Sequence, residues 1–250
     1  MNLSDEFLQK LNNSNSIVFF SGAGISAESG IPTFRGEDGI WKKLKPEELA
    51  NFDAFLRNPD MVWEWYQHRK KITRESRPNA GHLAIAEFEK YFPQVSVITQ
   101  NIDNLHRRAG SKTVYELHGN IERNYCIKCH KFYNELPEFT GKVPKCNCGG
   151  LIRPDVVWFG EFLPQDQFSK AEAAASSCDM FFIVGTSAVV YPAAGLIYTA
   201  RRYGAYLVEI NIEETDISSI VDFSIPGKAG TVLPYILNSI KSGKQSERNK

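Results

Sequence analysis

Short apolar runs that end in small or polar residues recur along the chain: IVFFSGAG at 17–24, VSVITQN at 95–101, MFFIVGTS at 180–187 and YLVEIN at 206–211. Continuous rather than alternating apolar character marks strands buried on both faces. These runs therefore predict a parallel sheet whose carboxyl ends carry function. Helical stretches separate them, NAGHLAIAEFEKYF at 79–92, AEAAASSC at 171–178 and AAGLIYTARRYG at 193–204. Strand and helix in alternation predict an α/β chain with a doubly wound sheet.

Two stretches break the alternation. A helical segment at 42–77 and a cysteine-rich region at 123–154 offer no buried-strand run, and both are expected to be insertions forming a smaller lobe. The main domain is then discontinuous, assembled from 1–41, 78–122 and 155–240. The end, KSGKQSERNK at 241–250, is polar and basic with nothing to bury, and is expected to be disordered.

Charge and composition exclude some classes. Lys plus Arg and Asp plus Glu both number 29, so no net field favours nucleic acid or an anionic membrane, and neither is an expected partner. The first residues, MNLSDEFLQKLNNSNS, lack the apolar centre of a signal peptide, and no stretch approaches the roughly 18 apolar residues of a membrane span. A cytoplasmic protein is expected, and without a coiled-coil segment a monomer. Five cysteines, four of them between 126 and 148, are too unevenly spread for a disulfide framework. Cys126-x2-Cys129 and Cys146-x-Cys148 present two pairs of thiolates, which suits one closed, structural Zn2+ site. The second pair is one residue tighter than a usual knuckle, so His130 is an alternative donor. Cys178 reads as a small buried hydrophobe.

Gly22-Ala23-Gly24-Ile25-Ser26-Ala27 follows the first strand and opens into a helix, where backbone N–H groups can cradle a pyrophosphate. A tight strand-to-helix turn without ligand gives the same pattern. The Gly- and Pro-punctuated loop that follows, through Phe34-Arg35-Gly36, is unlike the helix and second strand of a dehydrogenase. Glu213, after Asn211-Ile212, offers a carboxylate to ribose hydroxyls, and Gly185-Thr186-Ser187 offers small polar groups to the same crevice. Either set also serves as a simple strand terminator.

Taken together, GAGISAESGIPTFRG at 22–36, TQNIDNLH at 99–106, ELHGN at 116–120, the cysteine pairs, RPDVVWFGE at 153–161, GTS at 185–187 and NIE at 211–213 closely resemble the sirtuin family. The resemblance implies a Rossmann-like doubly wound parallel sheet with a smaller lobe made of a helical insertion and a four-cysteine zinc module. It also implies an enzyme that consumes NAD as co-substrate, moving an acyl group from lysine to ADP-ribose and releasing nicotinamide. His118 matches the family's catalytic histidine, a general base on a ribose hydroxyl. Gln100, Asn101, Ile102 and Asp103 match contacts to the nicotinamide end. Gly22, Ala23, Gly24, Phe34 and Arg35 match the cofactor loop, and Gly185, Thr186, Ser187, Asn211, Ile212, Glu213 and Ala229 complete the NAD set. Val157, Trp158, Phe159 and Gly160 match the segment that pairs with an extended acylated-lysine peptide.

The remaining question is the acyl group. Asn58 and Pro59 predict a helix start, which places Tyr66 and Arg69 at i and i+3 on one, less polar face. A guanidinium there needs a partner, either an internal glutamate or the carboxylate of a dicarboxylic acyl group. The Tyr-x-x-Arg pair resembles that of class III sirtuins. The resemblance implies desuccinylase and demalonylase activity with weaker deacetylation, Ala50 lining the same pocket.

Overall fold

The structure, a computed structural model, describes residues 2–34, 46–136 and 141–248. In chain order α1 (Asp5–Asn13), β1 (Ser16–Ser21) and the one-turn α2 (Gly24–Ala27) precede α3 (Pro46–Leu49), α4 (Phe52–Arg57) and α5 (Pro59–Glu75). There follow α6 (Ala80–Phe88), β2 (Gln94–Thr99), α7 (Leu105–Ala109), β3 (Val114–Glu116), β4 (Gly119–Cys126), β5 (Phe132–Tyr133) and β6 (Ile152–Val156). The last elements are α8 (Gln165–Ser177), β7 (Met180–Val184), α9 (Gly195–Arg202), β8 (Tyr206–Asn211), β9 (Phe223–Pro226) and α10 (Ala229–Arg248).

The larger sheet runs β3-β2-β1-β7-β8-β9 with every pairing parallel. Counted along that sheet in chain order this is 3-2-1-4-5-6, the doubly wound arrangement that the apolar runs predicted. The strands read as unbroken apolar runs because both faces are covered. Phe19 and Phe182 stack at 4.9 Å on the face packed by α1, α6 and α10, while Phe20 and Phe181 stack at 5.8 Å on the face packed by α8 and α9. Strand order reverses across the β1–β7 pair, and the crevice beyond the carboxyl ends of these strands is where such a sheet binds ligands.

The smaller lobe joins both insertions. Its antiparallel sheet, β5-β4-β6, shares one apolar cluster with α4 and α5 through Phe55, Trp63, Tyr66, Ile121, Ile152 and Trp158. Its boundaries differ from those expected, since β4 begins at Gly119 and β6 ends at Val156, in register Gly119↔Val156. Residues 119–122 and 155–156 therefore belong to the strands of the small sheet. Polar residues spread through β4, GNIERNYC, hid that strand from a search for apolar runs. At the other end of the chain α10 continues to Arg248, into the stretch expected to lack order. Good helix formers there (Lys241, Lys244, Gln245, Glu247 and Arg248) extend a helix already nucleated by its buried first half. Among the described residues no helix is long and apolar enough to cross a membrane.

Candidate active site

Three glycines build the base of the crevice. A Cβ on Gly22 would lie 2.6 Å from Thr186 Cβ, one on Gly24 would lie 2.7 Å from the Gly185 oxygen, and one on Gly185 would lie 2.5 Å from the Ile25 nitrogen. Backbone thus meets backbone where β1 and β7 end, tied by Gly22 N–H to Val184 O at 3.0 Å and Gly24 N–H to Gly185 O at 2.8 Å. That contact leaves an open cleft of ≈ 1040 Å³ above the sheet. It is large enough for a dinucleotide with a second substrate.

The end of β2 forms one wall. Gln100 donates from Nε2 to Thr186 Oγ1 at 3.0 Å, and Asn101 donates from Nδ2 to Gly22 O at 2.9 Å. Both amides therefore brace the glycine turn from the side. Asp103 lies behind this wall and does not line the cleft. Its Oδ2 accepts from Ser26 Oγ at 2.6 Å and its Oδ1 from Leu105 N–H at 2.9 Å. Burial raises its pKa above the ordinary carboxylate value, against the hydrogen bonds from Ser26 and Leu105. The resemblance implies a cofactor contact for Asp103; in this structure its oxygens tie Ser26 of α2 and Leu105 of α7.

His118 sits in the turn between β3 and β4, where the two lobes meet. Gly119 follows at φ +81, and a Cβ there would lie 2.1 Å from Asp155 O, so only glycine lets β4 turn away. Glu116, nearly buried, accepts from Asn120 Nδ2 at 2.7 Å, Arg123 Nη1 at 2.8 Å and Arg107 Nε at 3.1 Å, pinning the chain on both sides of the histidine. His118 Nδ1 lies 2.9 Å from Gln100 O. A carbonyl only accepts, so Nδ1 carries the proton and Nε2 keeps a lone pair for base chemistry. Desolvation lowers the His118 pKa, partly opposed by that hydrogen bond.

The far wall is the segment 157–160. Val157 N–H donates to His118 O at 3.0 Å, Trp158 N–H to Glu161 Oε2 at 2.8 Å and Phe159 N–H to Ala50 O at 2.9 Å. Behind it Arg153, 1 % exposed, pairs with Glu161 and stacks its guanidinium 3.4 Å from the Trp158 ring centroid. In the sequence Arg153 and Glu161 stand only as the ends of a motif. Charges bracketing an apolar stretch are the signal that could have found them.

Tyr66 and Arg69 enter from α5, whose Asn58 caps the Met61 N–H at 3.4 Å with Pro59 at the first position, as the sequence predicted. Tyr66 is buried and accepts a hydrogen bond from Trp158 Nε1 at 2.7 Å. Burial pushes its pKa up to about 12. Arg69 lies between two rings, its guanidinium carbon 4.6 Å from the Phe34 centroid and 5.0 Å from that of Trp65. The side chain as a whole is half-buried, yet its Nε and Nη1 are shielded from solvent and have no hydrogen-bond partner in the described residues. Desolvation lowers its pKa, opposed by Tyr66 and Asp103.

Of the residues expected at the site, Gly22, Ala23, Gly24, Phe34, Tyr66, Arg69, Gln100, Asn101, Ile102, His118 and Val157 to Gly160 line this one cleft. So do Gly185, Thr186, Ser187, Asn211, Ile212, Glu213 and Ala229. Ala50 lines it too, and Arg35 lies outside the described residues. The cysteines lie apart from it. Sγ of Cys126, Cys129, Cys146 and Cys148 all fall within 4.8 Å of one another, with Cys126–Cys148 and Cys129–Cys146 at 3.5 Å. Tetrahedral Zn–S bonds of about 2.3 Å require S···S of roughly 3.8 Å, so the four thiolates fit one ion. Gly149 at φ +82 makes the tight turn that lets the short second pair close, and His130 is not part of the cluster.

Fold and site define an α/β protein with a nucleotide-sized cleft at the switch point of its parallel sheet and a histidine where its two lobes meet. The Sir2 family model matches residues 22–192, and the chain belongs to the Sir2, or sirtuin, family. An "NAD-dependent protein deacylase" of Aquifex aeolicus (strain VF5) is 50% identical over 230 residues, 90% of this chain and 95% of that protein. A crystal structure of a Sir2 homologue–NAD complex superposes at TM-score 0.91 with 42% identity, covering 97% of this chain and 95% of the other. A Sir2 complex with a deacetylated p53 peptide and 3'-O-acetyl ADP-ribose gives TM-score 0.87 at 39% identity, covering 94% and 97%. The protein is an NAD-dependent protein deacylase of sirtuin type, with NAD as co-substrate and one structural zinc on its four cysteines.

Proposed function

We propose that this deacylase removes succinyl and malonyl groups from lysine, and acetyl groups more weakly, releasing nicotinamide and O-acyl-ADP-ribose. Arg69 carries the reading. A guanidinium whose Nε and Nη1 are buried without partners among the described residues, in the cleft that Tyr66 also lines, is a built receptor for an acceptor-only group. The alternative expectation is an internal glutamate; among the described residues no salt bridge joins Arg69 to one, and the carboxylate that acts on it through space is the buried Asp103.

The other residues take consistent roles. His118, neutral with Nε2 free, accepts a proton from a ribose hydroxyl once the acyl oxygen has displaced nicotinamide. Gly22, Gly24 and Gly185 let the pyrophosphate approach backbone, and Glu213 and Asn211 offer acceptors and donors to the far ribose. Because the amides of Val157, Trp158 and Phe159 are already satisfied, an extended acyl-lysine peptide pairs with this segment through its carbonyls.

The test compares kcat/KM on matched peptides bearing succinyl, malonyl or acetyl lysine, following nicotinamide and product masses. A preference for succinyl of tenfold or more, about 1.4 kcal/mol in transition-state binding, supports the reading. A preference for acetyl removes the carboxylate clamp and keeps the deacylase. Nicotinamide release without peptide conversion replaces deacylation by ADP-ribose transfer.

A further inference from the structure

We propose that Trp158 is a positioning residue for acyl selectivity, its indole N–H fixing the Tyr66 hydroxyl as a donor aimed at the acyl carboxylate. The inference rests on the proposed function and adds to it a residue that touches the acyl group only through another.

The argument starts from the inventory of donors and acceptors. A tyrosine hydroxyl both donates and accepts, and on its own does not distinguish a carboxylate from an amide or a water. An indole N–H only donates. At 2.7 Å, in a buried setting, Trp158 Nε1 occupies the accepting side of the Tyr66 oxygen. The phenolic proton must then point elsewhere, and Tyr66 donates to nothing among the described residues. One turn along α5, Arg69 presents Nε and Nη1, likewise without partners. Tyr66 and Arg69 line the same cleft and bring it donors without an acceptor, and a carboxylate is the small acyl terminus that such a set favours.

Trp158 is held rigidly enough for this work. Its amide donates to Glu161, whose carboxylate is bound by Arg153, and the Arg153 guanidinium lies against the indole face at 3.4 Å. A cation over the ring withdraws electron density from the indole and makes its N–H a stronger donor. Arg153 also donates from Nη2 to Val156 O at 2.7 Å, which ties this floor to β6. The donor polarity of the acyl pocket is therefore set from beneath, by the peptide-binding segment, and not by α5 alone.

The experiment is a double-mutant cycle read as the ratio of kcat/KM for succinyl-lysine to that for acetyl-lysine in the same peptide. Trp158→Phe, Tyr66→Phe and the double variant are compared with the unaltered protein. Using the ratio cancels any loss of NAD or peptide binding common to both substrates. Each single variant is expected to lower the ratio about fivefold to tenfold, and the double variant to lower it no further than Tyr66→Phe. Should Trp158→Phe misfold, benzothienylalanine at position 158 keeps the bicyclic ring and deletes only the N–H, with the same expected drop. A ratio that stays within twofold after loss of the N–H, while Tyr66→Phe lowers it, overturns the role of Trp158 and leaves the proposed function standing. An equal drop from Trp158→Phe in the Tyr66→Phe background overturns it as well, because the indole would then act without the hydroxyl. An unaltered protein that shows no preference for succinyl overturns both, and is recognised before any variant is made.

Discussion

Replacing Arg69 by Met separates the carboxylate clamp from the rest of the active site, and the structure sets the size of the effect. Nε is buried and without a partner among the described residues, so an acyl carboxylate docked on the Nε–Nη2 edge gains two charge-assisted hydrogen bonds from a guanidinium already desolvated by Phe34 and Trp65. Such bonds contribute about 1.5–3 kcal/mol each. Counting two at the lower end gives roughly 3–4 kcal/mol, a loss of about 10²- to 10³-fold in kcat/KM for succinyl lysine. Acetyl lysine has no group to lose these bonds, and its kcat/KM is expected to change by less than about tenfold. Stability moves the other way. A buried charge without a partner opposes folding, and an apolar side chain of similar length removes that cost, offset by the loss of two cation–π contacts of about 0.5–2 kcal/mol. Arg69→Met should therefore leave Tm unchanged or raise it by a few degrees. Steady-state kinetics on the two peptides and a thermal melt decide the matter. Parallel losses on both acyl groups together with a fall in Tm would refute the reasoning, because they would show Arg69 holding the lobe together.

Three further outcomes follow from the site. Gly24→Ala puts a Cβ 2.7 Å from the Gly185 oxygen, which cannot rotate away; the cost is about 1–3 kcal/mol of stability, with NAD affinity down at least tenfold by calorimetric titration. Cys146→Ser should reduce bound zinc from one ion per chain to near zero by elemental analysis. Because Cys146 shares its apolar cluster with Tyr66 and Trp158, Tm should fall by roughly 10 °C or more; full activity without metal would remove the structural role. For His118 the working species is the neutral ring and burial lowers its pKa, so the base form persists to lower pH than in an exposed histidine. The acid limb of kcat/KM is expected below the ordinary histidine value, and a limb centred above it would assign the base elsewhere.

How much of this was legible in the sequence depended on how many faces of an element are covered. β1, β7 and β8 are covered on both faces and announced themselves as runs of Ile, Val and Phe. β3 and β9 were missed, being sheet edges of three and four residues, as was β4, whose polar residues carry no apolar run. The zinc ligands were legible because thiolate pairing is local in sequence. Asp103 shows the opposite case: a polar motif marked the strand end, but its hydrogen bonds to Ser26 and Leu105 emerge only from the fold. The role inferred for Trp158 was out of reach, for its hydrogen-bond partner lies 92 residues away.

Under the proposed function, the division of the chain into lobes separates the acyl pocket from the NAD chemistry. Most of the residues proposed to act on NAD come from the carboxyl ends of the parallel strands, where the glycine contacts allow almost no variation, and Phe34 joins them from the loop after α2. Tyr66 and Arg69 come from α5, packed on the zinc-bearing lobe through one apolar cluster. His118 and the 157–160 segment lie where the lobes join, coupled by the bond from Val157 N–H to His118 O. A substitution on α5 can therefore alter the charge and size of the acyl pocket while the strand-end residues stay in place, and Arg69 touches the expected NAD set through Phe34. A shift of the small lobe as a body moves peptide, base and acyl pocket together. Selectivity is on this account a property of side chains in the insertion, while competence depends on how the zinc and the Glu116–Arg123–Asp155 network hold that insertion against the sheet.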